Sequence, residues 1–294
     1  MSEDQPTATS PLRRRGKAFA ARFRRNTLAM AGLVVTGSVL LIALLAPVLA
    51  PYDPATVNVP ARLQGPSLAH PMGTDHYGRD LLSRVLFGAR IALQVAVATP
   101  LVAGAIGVPI GLLAGYSGGR VDDALMRLMD SIFAFPAILL GLTLVAVFGQ
   151  SLTNIVLALG IVYIPQFARV TRGSAVSVVE EEHVRVARSL GASHVRIMLV
   201  HVLPFCLSAI LVQATVTAAL AIVLESSLSF LGVGVPSPKP SWGSILRVGK
   251  GYVDSGEWWY SVFPGLAIVV AVLGFNLLGD GLRDVLDPRT DPNR

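Results

Sequence analysis

The sequence predicts an all-helical, polytopic membrane protein with six transmembrane helices. Three observations predict it. Of 294 residues, 53% are hydrophobic and only 14% charged, against about 25% charged in soluble domains. The deficit is concentrated: residues 26–52, 91–119, 131–168, 197–224 and 258–279 contain no Asp, Glu, Lys or Arg, and about 20 apolar residues suffice to cross a bilayer as helix. These runs are apolar on every side, whereas a helix of a soluble domain carries a single apolar stripe.

The elements follow in order. Residues 1–26 form a basic tail with Ser, Thr and Pro. The run after it is longer than the ~7–15 apolar residues of a secretory signal, so it is read as a retained first span, 27–50. The outer segment 51–88 begins extended, rich in Pro and Ala. It ends in a helical stretch, Gly78 to Gly88, where Asp80 and Arg84 stand four apart and are expected to pair. A five-helix core, 89–280, follows. Its spans are placed at about 91–115, 130–148, 151–168, 203–226 and 259–279. The run 131–168 is long enough for two of them, joined by a tight turn at Gly149-Gln-Ser-Leu-Thr-Asn154. Pro100, Pro109, Pro136, Pro165 and Pro264 fall in or near spans and predict kinks. Residues 281–294 are read as a tail.

Basic residues set the orientation. With both termini inside, 17 of the 24 Lys and Arg lie on the cytoplasmic side and 7 outside. Trp242, Trp258 and Trp259 then all fall outside, where indole suits the interface. The net charge of +6 follows from this bias, so no nucleic acid partner is expected; the partner surface is the lipid bilayer. Cys206, the single cysteine, is read as a packing residue.

The polar stretch 180–202 between two apolar runs has helical content. Gly191 can end one short helix by taking the left-handed conformation. Ser193 can cap the next, and Pro204 fits the first turn of the following span. Two short helices with a glycine elbow outside the bilayer form a docking lever for another protein. Val184, Ala187, Leu190, Val195 and Met198 would be its apolar contact surface, and Glu182, Arg185 and Arg188 its polar contacts. The competing reading is an amphipathic loop helix lying on lipid headgroups.

Here the chain resembles a known family. Ala187-x-x-x-Gly191 followed by Leu203-Pro204 is similar to the coupling loop of bacterial ABC importer permeases. Arg185-Val186-Ala187 stands where that family has Glu-Ala-Ala, and His201-Val202 where its Ile lies, so no salt bridge from the usual Glu carries over. Further stretches resemble the peptide and nickel branch: His70 to Arg84, Gly111 to Gly119, Met126 to Asp130 with Phe135-Pro136, Ser229 to Gly234 with Pro240 to Gly243, Asn276 to Asp284, and Leu286 to Arg289. The resemblance points to the shorter permease of a pair with the type I importer fold. It implies a second homologous permease, two cytoplasmic ATPases and an extracytoplasmic substrate-binding protein. It implies coupling through Glu182, Arg185, Ala187, Arg188, Gly191, Ala192 and Ser193. Peptide is the expected cargo, with nickel or another small solute as the alternative.

The residues themselves exclude other chemistry. A phosphate-binding loop needs Gly, four residues, then Gly-Lys-Ser/Thr; neither Gly249-Lys250-Gly251 nor Gly16-Lys17 fits. ATP and Mg are therefore expected on partner subunits, with no cofactor on this chain. Proton or ion relays want ionisable groups inside spans, and the expected span cores have none, which argues against a secondary transporter. His183, His194 and His201 are spaced too far apart along a helix to share one metal. His70 and His76 flank a turn and are read as polar loop residues rather than ligands. No nucleophile–base pair with an oxyanion hole stands out, so the chain is not expected to be an enzyme. Glu225, Gln213 and Asn276 remain as pathway or permease-interface candidates, Glu225 with the alternative of a helix end among headgroups.

Overall fold

The computed structural model describes residues 22–286. The expectations for the N-terminal tail up to residue 21, for residues 287–294 and for the motif positions 287–289 lie outside the described residues. Among those described, regular structure is helical apart from one isolated bridge, Thr74 to Asp80.

Helix α1, Thr27–Leu49, starts where the Asn26 side chain accepts the Ala29 N–H at 2.9 Å. It is apolar all round, and Leu33, Val34, Leu40, Leu41, Leu44 and Val48 project outward, as a helix facing lipid requires. Helix α2, Leu81–Ser117, is 37 residues long. It joins the expected outer helix and second span into one rod of about 55 Å at ~1.5 Å per residue. Asp80 caps it, accepting the Ser83 N–H at 2.7 Å.

The third span departs from expectation. Instead of one kinked helix over 130–148, the chain makes α3, Gly119–Phe133, and α4, Ala137–Phe148, bent by 85° at the break before Pro136. Proline disfavours helical geometry at the residue before it and removes an N–H. With 12 residues, α4 reaches only about 18 Å, short of the ~30 Å hydrocarbon core. Among the described residues, five helices are long and apolar enough to cross a membrane alone, and counting this bent pair as one broken span brings the number to six.

The turn to α5, Leu152–Val179, is tight as expected. Ser151 accepts the Asn154 N–H at 3.0 Å, and Asn154 Nδ2 donates back to the carbonyls of Phe148 (2.7 Å) and Gly149 (3.1 Å). Helix α6 is Glu182–Ser189. Helix α7, His194–Leu231, contains a π-helical stretch at Ile197–Val202. Short α8, Trp242–Gly249, has a capping box between Ser241 and Ser244. Helix α9, Trp259–Leu286, extends past the position where a tail was expected to begin.

Helix α2 lies against α5 and α7, and α9 against α1 and α7. The α2–α5 contact is close because small residues line it. A Cβ at Gly111 would collide with the Ala168 carbonyl, one at Gly107 would lie 2.6 Å from the Ile164 oxygen, and one at Gly115 would lie 2.8 Å from the Ala175 Cβ. Where lipid removes the hydrophobic drive between helices, such backbone approach supplies the packing.

Two local expectations are corrected in the segment between α1 and α2 and around it. Arg84 does not pair with Asp80, which is occupied by the cap and by His70 Nδ1 at 2.9 Å. The nearby acid for Arg84 is Asp75, at 3.5 Å. Trp242 is not an interfacial anchor; it is buried, and its indole N–H donates to the Val85 carbonyl at 2.9 Å. Trp258 remains exposed.

Candidate coupling site

Segment 180–202 folds as two short helical pieces about a glycine elbow. Gly191 has φ of +81°. Its N–H donates to the Arg188 carbonyl at 3.0 Å, and the Ala192 N–H reaches the Ala187 carbonyl at 3.1 Å. This pair of bonds is a Schellman termination, which satisfies carbonyls the helix would otherwise leave open. Ser193 accepts the Arg196 N–H at 3.4 Å, so it caps the next turn as expected.

The faces of the lever are only partly as expected. Val184 is fully buried, and Ala187 and Met198 also turn inward, toward Leu112, Ala175, Val178, Ile197 and Cys206. They fasten the lever to its own bundle and cannot form the outward contact surface. Leu190, 82% exposed, projects outward with Val186 and Val195. Glu182, Arg185, Arg188, Gly191 and Ser193 are also exposed, and Ala192 is half-buried. An α-helix repeats every 3.6 residues, so Val184 and Ala187 share one face while Arg185 and Val186 lie on others; Arg188, one turn after Val184, stays exposed.

Four contacts that the sequence analysis did not anticipate anchor the lever. Tyr116, at the end of α2, places its hydroxyl 2.6 Å from His194 Nδ1. The Arg188 guanidinium lies 5.6 Å from the Tyr116 ring centroid, within cation–π range. His183 Nε2 lies 3.2 Å from the His201 carbonyl, and His183 Nδ1 lies 3.1 Å from a Glu181 carboxylate oxygen. The signal for the first was an aromatic residue one turn before the end of an apolar run.

Two ion pairs brace the bent third span against α5. Arg172 grips Asp122 with two bonds, 2.5 and 2.6 Å, and Arg169 holds Asp130 at 2.6 Å while lying over the Phe133 ring. At the opposite end of α9, Asn26 Nδ2 donates to Asp284 at 3.1 Å, tying the start of α1 to the end of α9.

The pathway candidates separate. Glu225 is 1% exposed, with Oε1 accepting the Ser229 hydroxyl at 2.6 Å. It is tied within its own bundle, and nearby serines supply the bonds that a buried carboxyl needs. Gln213 is half-buried and donates to Gln166 Oε1 (3.0 Å) and Thr217 Oγ1 (3.1 Å). It lines a cavity of about 400 Å³ with Ser208, Val170 and Arg283. Asn276 is exposed on α9. A larger apolar groove, about 700 Å³, runs between α2, α5, α7 and α9 past Pro100, Leu101, Leu211 and Phe275. At the end of the bundle away from the lever, burial holds the His76 imidazole below its usual pKa. Arg79, Arg84 and Arg62 push the same way, and only Asp75 opposes.

Lipid-facing helices, a bent span and an externally presented lever define a multi-pass membrane permease. The comparisons agree. A family model described as the inner membrane component of binding-protein-dependent transport systems matches residues 107–292, and one described as the N-terminal TM domain of oligopeptide transport permease C matches 15–66. The chain is 43% identical to the dipeptide transport system permease protein DppC of Alkalihalophilus pseudofirmus, over 98% of this chain and 93% of that one. It is 40% identical to the di/tripeptide transport system permease protein DppC of Pseudomonas aeruginosa, over 93% and 92%. Glutathione transport system permease protein GsiD of Pectobacterium atrosepticum is 41% identical over 93% and 91%. Among solved structures, a chain of the inward-facing MetNI methionine ABC transporter has a TM-score of 0.58 at 17% identity, covering 69% of this chain and 97% of that one. The fold is therefore that of an ABC importer permease.

This chain belongs to the family of inner membrane components of binding-protein-dependent transport systems. It is a transport permease and not an enzyme, and membership implies an ATPase and a substrate-binding protein as partners.

Proposed function

We propose that this chain forms half of the translocation pathway of an ATP-driven peptide importer, paired with a second, homologous permease. The observation that carries the coupling reading is the lever at 180–202: its two helical pieces are capped on either side of the elbow, it is seated on the bundle by Val184, and it is left with an outward surface of Glu182, Arg185, Arg188 and Leu190. Gly191, Ala192 and Ser193 make its elbow, and Ala187 supports it from behind. Two ATPases engage this surface, and ATP with Mg resides on them. The basic-residue bias supports placing both termini and the lever in the cytoplasm. The apolar groove past Leu101 and Phe275 suits the second permease, and Gln213 and Asn276 supply polar groups beside it.

Relatives named for dipeptide, di/tripeptide and glutathione transport favour peptide cargo over nickel. Motion of the lever passes through α2 and α7 to the pathway. A partner shifts inward- and outward-facing states only through contacts that differ between them.

Reconstitution of the complete importer in proteoliposomes tests this. Labelled dipeptide enters when ATP and the binding protein are supplied. Gly191→Pro, which cannot take φ of +81°, inserts into the membrane normally but lowers uptake by at least about tenfold, as a switch losing ~1.4 kcal/mol of coupling would. Normal uptake in that variant, or failed insertion alone, counts against the lever.

A further inference from the structure

Between the outer segment, the turn at Gln150 and the loop after α7 lies a cleft of about 270 Å³. Arg79, Arg84, Lys239 and Arg247 line it, with His76 and Gln150 beside them. Its charge is one-sided. Asp75, fully buried, is already saturated: Oδ1 accepts the backbone N–H groups of Tyr77 (2.8 Å) and Arg79 (3.0 Å), and Oδ2 accepts Arg79 Nε at 2.6 Å. Glu225 lies deeper, behind Ser229. Among the described residues, neither Lys239 nor Arg247 makes an ion pair.

Arg84 supplies a second, independent observation. It is 7% exposed, and one of its nitrogens donates to the Pro54 carbonyl at 3.0 Å. Its Nε is buried without a hydrogen bond, 3.5 Å from Asp75 Oδ2. A buried cation is costly unless paired and bonded, and an orphaned buried donor calls for an acceptor. Along helix α2, Arg84 in this cleft lies about 48 Å from Tyr116 beside the lever, at ~1.5 Å per residue.

We propose that the cleft is a carboxylate-binding site on the outer face of the permease. Guanidinium groups present planar pairs of N–H donors that match the two oxygens of a carboxylate, and Lys239 adds a mobile point charge at the rim. The proposal rests on the peptide-importer reading above, which brings two carboxylate sources to this face. One is the C-terminus of a peptide, the other an acidic side chain of the binding protein.

The complete importer in nanodiscs tests this, as wild type and as Lys239→Gln with Arg247→Gln, both at exposed positions. One arm measures binding of the probe Ala-Ala and its C-terminal amide by saturation-transfer NMR, without binding protein. The other measures affinity for peptide-loaded binding protein at low and high salt. A site for the peptide terminus binds Ala-Ala about tenfold tighter than the amide, and the double variant loses that preference. A site for a partner's acid leaves the first arm blank; the double variant then binds the binding protein about tenfold more weakly, with a flatter salt dependence. Either result supports the proposal, and two arms unchanged by the substitutions overturn it. Both arms read binding rather than uptake, so a wild-type importer that binds as expected yet moves no peptide counts against the function proposed above and not against the cleft.

Discussion

At residue scale, the lever depends on a few polar anchors. Tyr116 holds His194 at 2.6 Å; a hydrogen bond of this kind contributes about 0.5–1.5 kcal/mol. Tyr116→Phe removes the hydroxyl and keeps the ring under Arg188. The expected result is transport reduced about two- to tenfold at unchanged membrane level, measured as uptake per inserted protein; unchanged turnover would mean the anchor does not position the lever. His76 gives a pH dependence on the other face. Its folded pKa is held below 6.5 by burial, so the unfolded state binds more protons between that lowered value and 6.5. Stability of the outer segment is therefore full above about 6.5 and falls as pH drops below it. Protection factors at the Gly73 and Gly78 amides, which divide out the slowing of intrinsic exchange in acid, should fall on acidification in the wild type. A rate of opening that rises with pH would contradict the sign.

At the scale of elements, the contact of α2 with α5 makes the most specific demand on sequence. A side chain at Gly111 must displace the Ala168 backbone, whereas Gly173 faces open space. Gly111→Leu should destabilise the bundle by about 1–3 kcal/mol through overpacking, and Gly173→Leu should leave it nearly unchanged. Thermal unfolding in nanodiscs separates the two, and equal shifts would contradict the close-approach account. The long helices were legible because lipid demands long apolar runs. Asn26, Ser151 and Ser193 mark their starts by the usual chemistry of helix caps. The 85° bend between α3 and α4 was not legible as more than a kink. Pro136 announces a break, but the direction of α3 on one side of it is held by Arg172 on Asp122 and Arg169 on Asp130, pairs 50 and 39 residues apart. The inward turn of Val184 was hidden for a related reason. An amphipathic helix of eight residues shows one apolar face, and whether that face meets its own bundle or a partner is decided by tertiary contacts. Glu225 likewise reads as a charge at a helix end until Ser229 and its neighbours are seen to enclose it.

For the molecule as a whole, α2 is a rod that links the two faces. Its first turn carries Arg84 in the outer cleft, and its last carries Tyr116 against the lever. The proposed function requires these faces to meet different partners, the ATPases at one and the binding protein at the other. Site-directed cross-linking in the assembled importer tests that most directly, with single cysteines at Leu190, 82% exposed on the lever, and at Trp258, 50% exposed at the start of α9. The account predicts that Leu190→Cys joins to an ATPase subunit and Trp258→Cys does not. A Leu190→Cys link to the binding protein, or a Trp258→Cys link to the ATPase, would contradict it.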